Sequence, residues 1–191
     1  MATYGVKGVS IEIVGADEHG RAPESVQRAC GMQTAQLLRS LNVLPRSHLV
    51  LLPRITVGER PPASNHPRSY GGGGSAHRGM PGGPYLRLNW RIFQAPWNQG
   101  HVNYTLLHEV GHIVDWAHRC MQVLRRDHRS HYQVLTSHPH SGRTQGPSEH
   151  YADAYADYFS RKRLSDTRRE ALLISRAFQP THSVPPPIMC Q

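Results

Sequence analysis

The pentapeptide His108-Glu109-Val110-Gly111-His112 constrains this chain more than any other feature. Two histidines four positions apart share one face of a helix, so both imidazoles can reach a single ion while Glu109 lies beside the water bound to it. Leu106, Leu107, Val110, Ile113, Val114, Trp116 and Ala117 give that helix an apolar body, and Asn103 or Thr105 is a candidate cap for its start. The domain must therefore bury one helix while leaving a polar face of it at a cleft. Metal-assisted hydrolysis is the chemistry this pattern points to. So short a pattern also recurs by chance in buried helices, and the residues downstream weigh against that reading.

A catalytic zinc site takes three protein ligands and leaves a position open. Two residues compete for the third place. His118 stands where the HExxHxxGxxH pattern puts its last histidine, but that pattern needs a glycine at position 115 to turn the chain back, and Asp115 is found instead. The methionine turn of that class is also missing, since no methionine occurs between Met121 and Met189. Glu149 is the favoured ligand. It lies four residues before Asp153 in a helical pattern, so one carboxylate can bind the metal while the other accepts the second ring N–H of a ligating histidine. Asp153 is expected to orient His108, and Asp115 the other histidine. Small Ala152, Ala154 and Ala156 permit close packing on that helix. Tyr132, Tyr151 and Tyr155 are candidates for the donor that stabilises an oxyanion, as are the histidines of the stretch His131 to His140, and the sequence does not choose among them.

The remaining pattern is that of one α+β domain over 1–180, with a Gly-rich loop at 58–84 and an extended or disordered tail at 181–191. Val9 to Val14 alternates as a strand ended by Gly15, and an amphipathic helix runs from Pro23 to Leu41. Leu49 to Val57 reads as a strand interrupted at Pro53, and so as an edge strand or one irregular there. Gly58 to Pro84 reads as loop, either a mobile flap or disordered, and it lacks the Lys-Ser/Thr ending of a phosphate-binding loop. Tyr85 to Phe93 reads as a strand that can lie along the cleft and pair with an extended peptide. Helices are expected over Met121–Leu135, Ser148–Arg163 and Asp166–Phe178. His19, His48, His66 and His77 fall in loops or at element ends, and are read as solvated.

Net charge is +9, carried by twenty arginines and only two lysines. The basic surplus suits an anionic partner, but no aromatic-interleaved basic run or zinc-finger spacing accompanies it, so no specific nucleic-acid partner is expected. No apolar run is long enough for a transmembrane segment, and the first fifteen residues lack a signal-peptide layout. Work outside the cytoplasm is therefore expected to need carriage within a larger polypeptide or by a dedicated delivery machine. Cys30, Cys120 and Cys190 form no CxxC pair, which argues against a thiolate zinc site and leaves one disulfide open.

His108-Glu109-x-x-His112 followed by Glu149-x-x-x-Asp153 resembles the gluzincin, thermolysin-like group of zinc metallopeptidases over about one helix pair. The resemblance implies a zincin-like fold, a small mixed sheet packed on the active-site helix with further helices in the C-terminal half, Zn²⁺ as cofactor and a protein or peptide substrate. A short basic domain of this kind is also similar to the toxic C-terminal metallopeptidase extensions of VgrG-type spikes in type VI secretion. That likeness implies delivery by the spike, action in the target cell periplasm or a host cytosol, and a cognate immunity protein. Two rival functions stand beside it: a zinc-dependent amidase cutting cell-wall peptides, and a non-catalytic basic binding module.

Overall fold

The first described element is a hairpin set by its turn. In the computed structural model, which describes residues 2–16, 34–52, 54–58, 74–77, 84–89, 99–137, 146–160 and 164–179, strands β1 (Ala2–Val6) and β2 (Val9–Ala16) pair antiparallel. Lys7 and Gly8 take φ of 49° and 74°, and two successive positive φ values supply the twist that a two-residue hairpin turn needs. β2 runs through Gly15, so that glycine does not end it as expected.

Three more strands complete a five-stranded mixed sheet of order β1-β2-β3-β5-β4. β3 (Arg54–Gly58) lies parallel to β2, β5 (Tyr85–Asn89) parallel to β3, and β4 (Gly74–His77) antiparallel to β5. Parallel neighbours need a crossover. Between β2 and β3 the described part of the crossover holds helix α1 (34–41) and the short α2 (Arg46–Leu49). Ile11, Ile13, Ile55, Val57, Leu86 and Leu88 are buried at alternate positions of three neighbouring strands, which gives the sheet one apolar face.

Against the sheet packs α3 (Gln99–His118), and the helices α4 (Cys120–Asp127), α5 (Arg129–Thr136), α6 (Pro147–Phe159) and α7 (Asp166–Leu173) fill the C-terminal half. A 3₁₀ turn at Arg176–Phe178 follows. The class is α+β. Leu106, Leu107, Val110, Ile113 and Val114 of α3 are buried in the core shared with both the strands and α6. No helix among the described residues is long and apolar enough to cross a membrane.

Several elements differ from the sequence reading. Leu49, Leu51 and Leu52 are buried in α2 and the turn after it while Val50 is exposed, so the strand begins only beyond Pro53; a short apolar run is ambiguous between helix end and strand. β4 falls inside the segment read as loop. It also takes the sheet edge, so that β5, read as a strand able to pair with an extended peptide, and β3, read as an edge or irregular strand, are both interior. α3 begins at Gln99, so Asn103 and Thr105 lie within it and cap nothing. The single helix expected over Met121–Leu135 is two, broken at His128, whose φ of −137° and ψ of 58° leave the helical region. The helix expected over Asp166–Phe178 likewise breaks at extended Ser175. The tail 181–191, the stretch 17–33 and residues 161–163 lie outside the described residues.

Candidate metal centre

α3 and α6 approach closely because small residues face each other. A Cβ placed on Gly111 would stand 2.8 Å from the Ala152 Cα and 3.1 Å from the Tyr155 Cβ, so only glycine lets the two backbones meet here. This contact brings the first turn of α6, where Glu149 sits, over the His108–His112 face of α3. Among the described residues, His108, His112 and Glu149 are the one group of three whose donor atoms gather within 4.8 Å. The spacing is finer than that bound implies. The two Nε2 atoms are 3.2 Å apart, His108 Nε2 is 3.2 Å from Glu149 Oε2, and His112 Nε2 is 3.4 Å from Glu149 Oε1.

Those separations test whether the residues fit zinc. Ligands ~2.0–2.1 Å from a tetrahedral ion stand roughly 3.3 Å from one another. The edge between the rings and the edges to the two Glu149 oxygens are of that length, so the three residues could hold a metal ion with one carboxylate oxygen as the third ligand. The electrostatics agree. Burial alone depresses the His108 pKa, but the hydrogen bonds to Asp153 and Glu149, helped by the Glu109 charge, outweigh it and hold it at about 10. Glu149 is held well below the usual carboxylate range by hydrogen bonds from His108 and His112. The two rings and the carboxylates around them thus form one electrostatic cluster.

Each imidazole is fixed from behind. His108 Nδ1–H donates to Asp153 Oδ1 at 2.8 Å, and the same oxygen accepts Tyr104 O–H at 3.0 Å. His112 Nδ1 is 3.1 Å from Ser148 Oγ, which donates to Asp115 Oδ2 at 2.8 Å. Asp115 therefore reaches His112 only through Ser148. Sequence reasoning passed over Tyr104 and Ser148. Tyr104 was open to detection, since it lies four residues before His108 on the same helix face; Ser148 carried no signal beyond its place beside Glu149.

Glu109 is buried beside the triangle, 7% exposed. Burial pushes its pKa up, the charges of His108 and His112 pull it down, and Glu149 adds to the rise, which is the net direction. A main-chain N–H of β4 at Ala76 donates to its carboxylate. Gly74 of the same strand lies directly on it, since a Cβ there would stand 2.9 Å from Glu109 Cγ. The sheet's edge strand is thus laid against the carboxylate.

The other named residues lie elsewhere. His118 is buried at the end of α3, its ring 6.4 Å from that of His48, and it is not in the metal group. Helix geometry explains this, because six residues beyond His112 a side chain points roughly 120° away. The helix does not turn at Asp115, whose Oδ1 accepts the Met121 N–H at 2.8 Å; the left-handed residue is Arg119, with φ 53° and ψ 40°. Tyr151 and Tyr155 are fully buried, with hydroxyls on Ser175 Oγ and His48 Nδ1, and face the core. Tyr132 lines a groove with Arg125, Arg129 and Gln133 on α4 and α5. His48, read as solvated, is 1% exposed. Cys120 is free and buried, its pKa pushed up to about 11 by that burial, while Cys30 and Cys190 lie outside the described residues.

The chain matches no protein-family model, and no curated protein matches it in sequence. The assignment of class rests on the site: a candidate metal site of HxxxH spacing on α3 completed by a glutamate from α6, consistent with a zincin-like site.

Proposed function

We propose that the chain is a zinc-dependent metallopeptidase that hydrolyses peptide bonds. The observation that carries this reading is the donor triangle of His108, His112 and Glu149 with a buried carboxylate, Glu109, one residue from the first ligand. Zinc bound there supplies a Lewis acid that polarises a carbonyl and lowers the pKa of water toward ~7. The chain's own groups do the rest. Glu109, its pKa raised, takes a proton from the attacking water as the oxygen bonds to the scissile carbonyl carbon, then delivers it to the leaving nitrogen as the C–N bond breaks. Asp153 and Ser148 each take the Nδ1–H of one ring, so that Nε2 is the nitrogen that would hold the metal. β4 is the edge strand nearest Glu109, and an edge offers main-chain groups to an extended peptide.

The likeness to type VI spike extensions adds a setting: a toxin domain, delivered by a spike, acting in a target periplasm or host cytosol and neutralised in the producer by an immunity protein. The test is cleavage of denatured protein by wild type and Glu109→Ala. Turnover falls about 10²–10⁴-fold in the variant while bound zinc is unchanged. Equal turnover in the two proteins contradicts the proposal, and release of peptidoglycan fragments with no protein cleavage moves the substrate to cell-wall peptides.

A further inference from the structure

We propose that Ser148 is a positioning residue for His112, relaying the Asp115 carboxylate to the imidazole so that the two histidine ligands are set by unlike partners. This rests on the metal-centre reading above.

The hydrogen bonds fix a direction. Ser148 has one hydroxyl proton, and it goes to Asp115 Oδ2 at 2.8 Å, which leaves the oxygen to accept. His112 Nδ1, 3.1 Å away, must therefore carry the proton of that contact, and its Nε2 is left with a lone pair aimed at the triangle. His108 donates its Nδ1–H directly to Asp153. The serine is not merely a polar residue in a helix's first turn. Such residues ordinarily cap their own helix, whereas this hydroxyl contacts residues 33 and 36 positions earlier, on another helix.

Asp115 is held from its other side too. Its Oδ1 accepts the Met121 N–H just past the left-handed corner at Arg119, so the relay is anchored to the junction of α3 and α4. The ligand, the hydroxyl, the carboxylate and the corner form one connected chain, and Trp116 stacks on the His112 ring at 5.8 Å between centroids to restrict its rotation further. Removing the hydroxyl leaves the ring without a partner on Nδ1 and Asp115 Oδ2 without its donor.

The experiment uses the full chain as wild type, Ser148→Ala and Ser148→Thr. Zinc affinity is measured by competition with a chromophoric chelator, and the His112 tautomer is read in the metal-free protein by long-range ¹H–¹⁵N NMR. Ser148→Ala weakens zinc binding by roughly 10–100-fold and loses the fixed Nδ1–H form, and Ser148→Thr, which keeps the hydroxyl, restores both. Wild-type affinity in Ser148→Ala, or no recovery in Ser148→Thr, overturns the relay. If wild type binds no zinc, the metal reading fails and the tautomer alone decides: Nδ1–H fixed in wild type and lost in Ser148→Ala supports the relay, and the same mixture in both overturns it.

Discussion

The core closes around His48 only while that residue is neutral. Its Nε2 lies 3.1 Å from the Ala177 carbonyl and so must carry the proton, which leaves Nδ1 with a lone pair to accept Tyr155 O–H at 2.8 Å. Burial pushes its pKa down to about 4; the Ala177 carbonyl opposes the fall, and His118 adds to it. A folded-state value below the unfolded one means that the unfolded chain binds the extra proton. Stability from this group is complete above pH ~6.5 and is lost as pH falls toward about 4, by about 3 kcal/mol at ~1.36 kcal/mol per pKa unit. Denaturant unfolding of wild type and His48→Gln between pH 7 and 4.5 measures it: wild type loses the additional stability and the variant does not, while equal slopes contradict the account. His48 was unreadable in the sequence because its partner Tyr155 is 107 positions away. His108 and His112 were readable because their relation is one helical turn.

At the scale of elements, the α3–α6 contact decides whether Glu149 reaches the histidines. Gly111→Ala gains about 1 kcal/mol of helix propensity, but its methyl meets backbone at 2.8 Å, and overpacking of a tight contact costs about 1–3 kcal/mol. The expected outcome is a lower midpoint of thermal unfolding together with weaker zinc binding, since the helices must separate; calorimetry and a chelator titration check both. Unchanged zinc affinity contradicts the role given to this contact. α3 was legible from Leu106 to Ala117, where apolar residues recur at helical spacing, but its start at Gln99 was not, because Gln99 to Asn103 carries no such pattern. β4 was not, because Gly74-Ser75-Ala76-His77 has no alternating bulky residues and acquires strand geometry only by pairing with β5. The break at His128 was hidden for a similar reason: nothing local interrupts the helical pattern there, and no proline or glycine marks the boundary.

For the whole molecule, the fold class and the candidate metal group were more legible in the sequence than the topology. Strand alternation followed by helical periodicity is enough to expect an α+β domain. The order β1-β2-β3-β5-β4 is not local information, because which strand takes the edge depends on the register of Tyr85 to Asn89 against two neighbours at once. That topology has a consequence for the site: it lays the edge strand against Glu109, while α6 brings Glu149 from the other side. The central claim is that one metal is held between α3 and α6 and that the end of α3 takes no part. It is tested most directly by zinc bound per chain in wild type, Glu149→Ala and His118→Ala after dialysis against a weak chelator. The account predicts one zinc per chain in wild type and His118→Ala and its loss in Glu149→Ala; loss in His118→Ala with retention in Glu149→Ala, or no zinc in wild type, contradicts it.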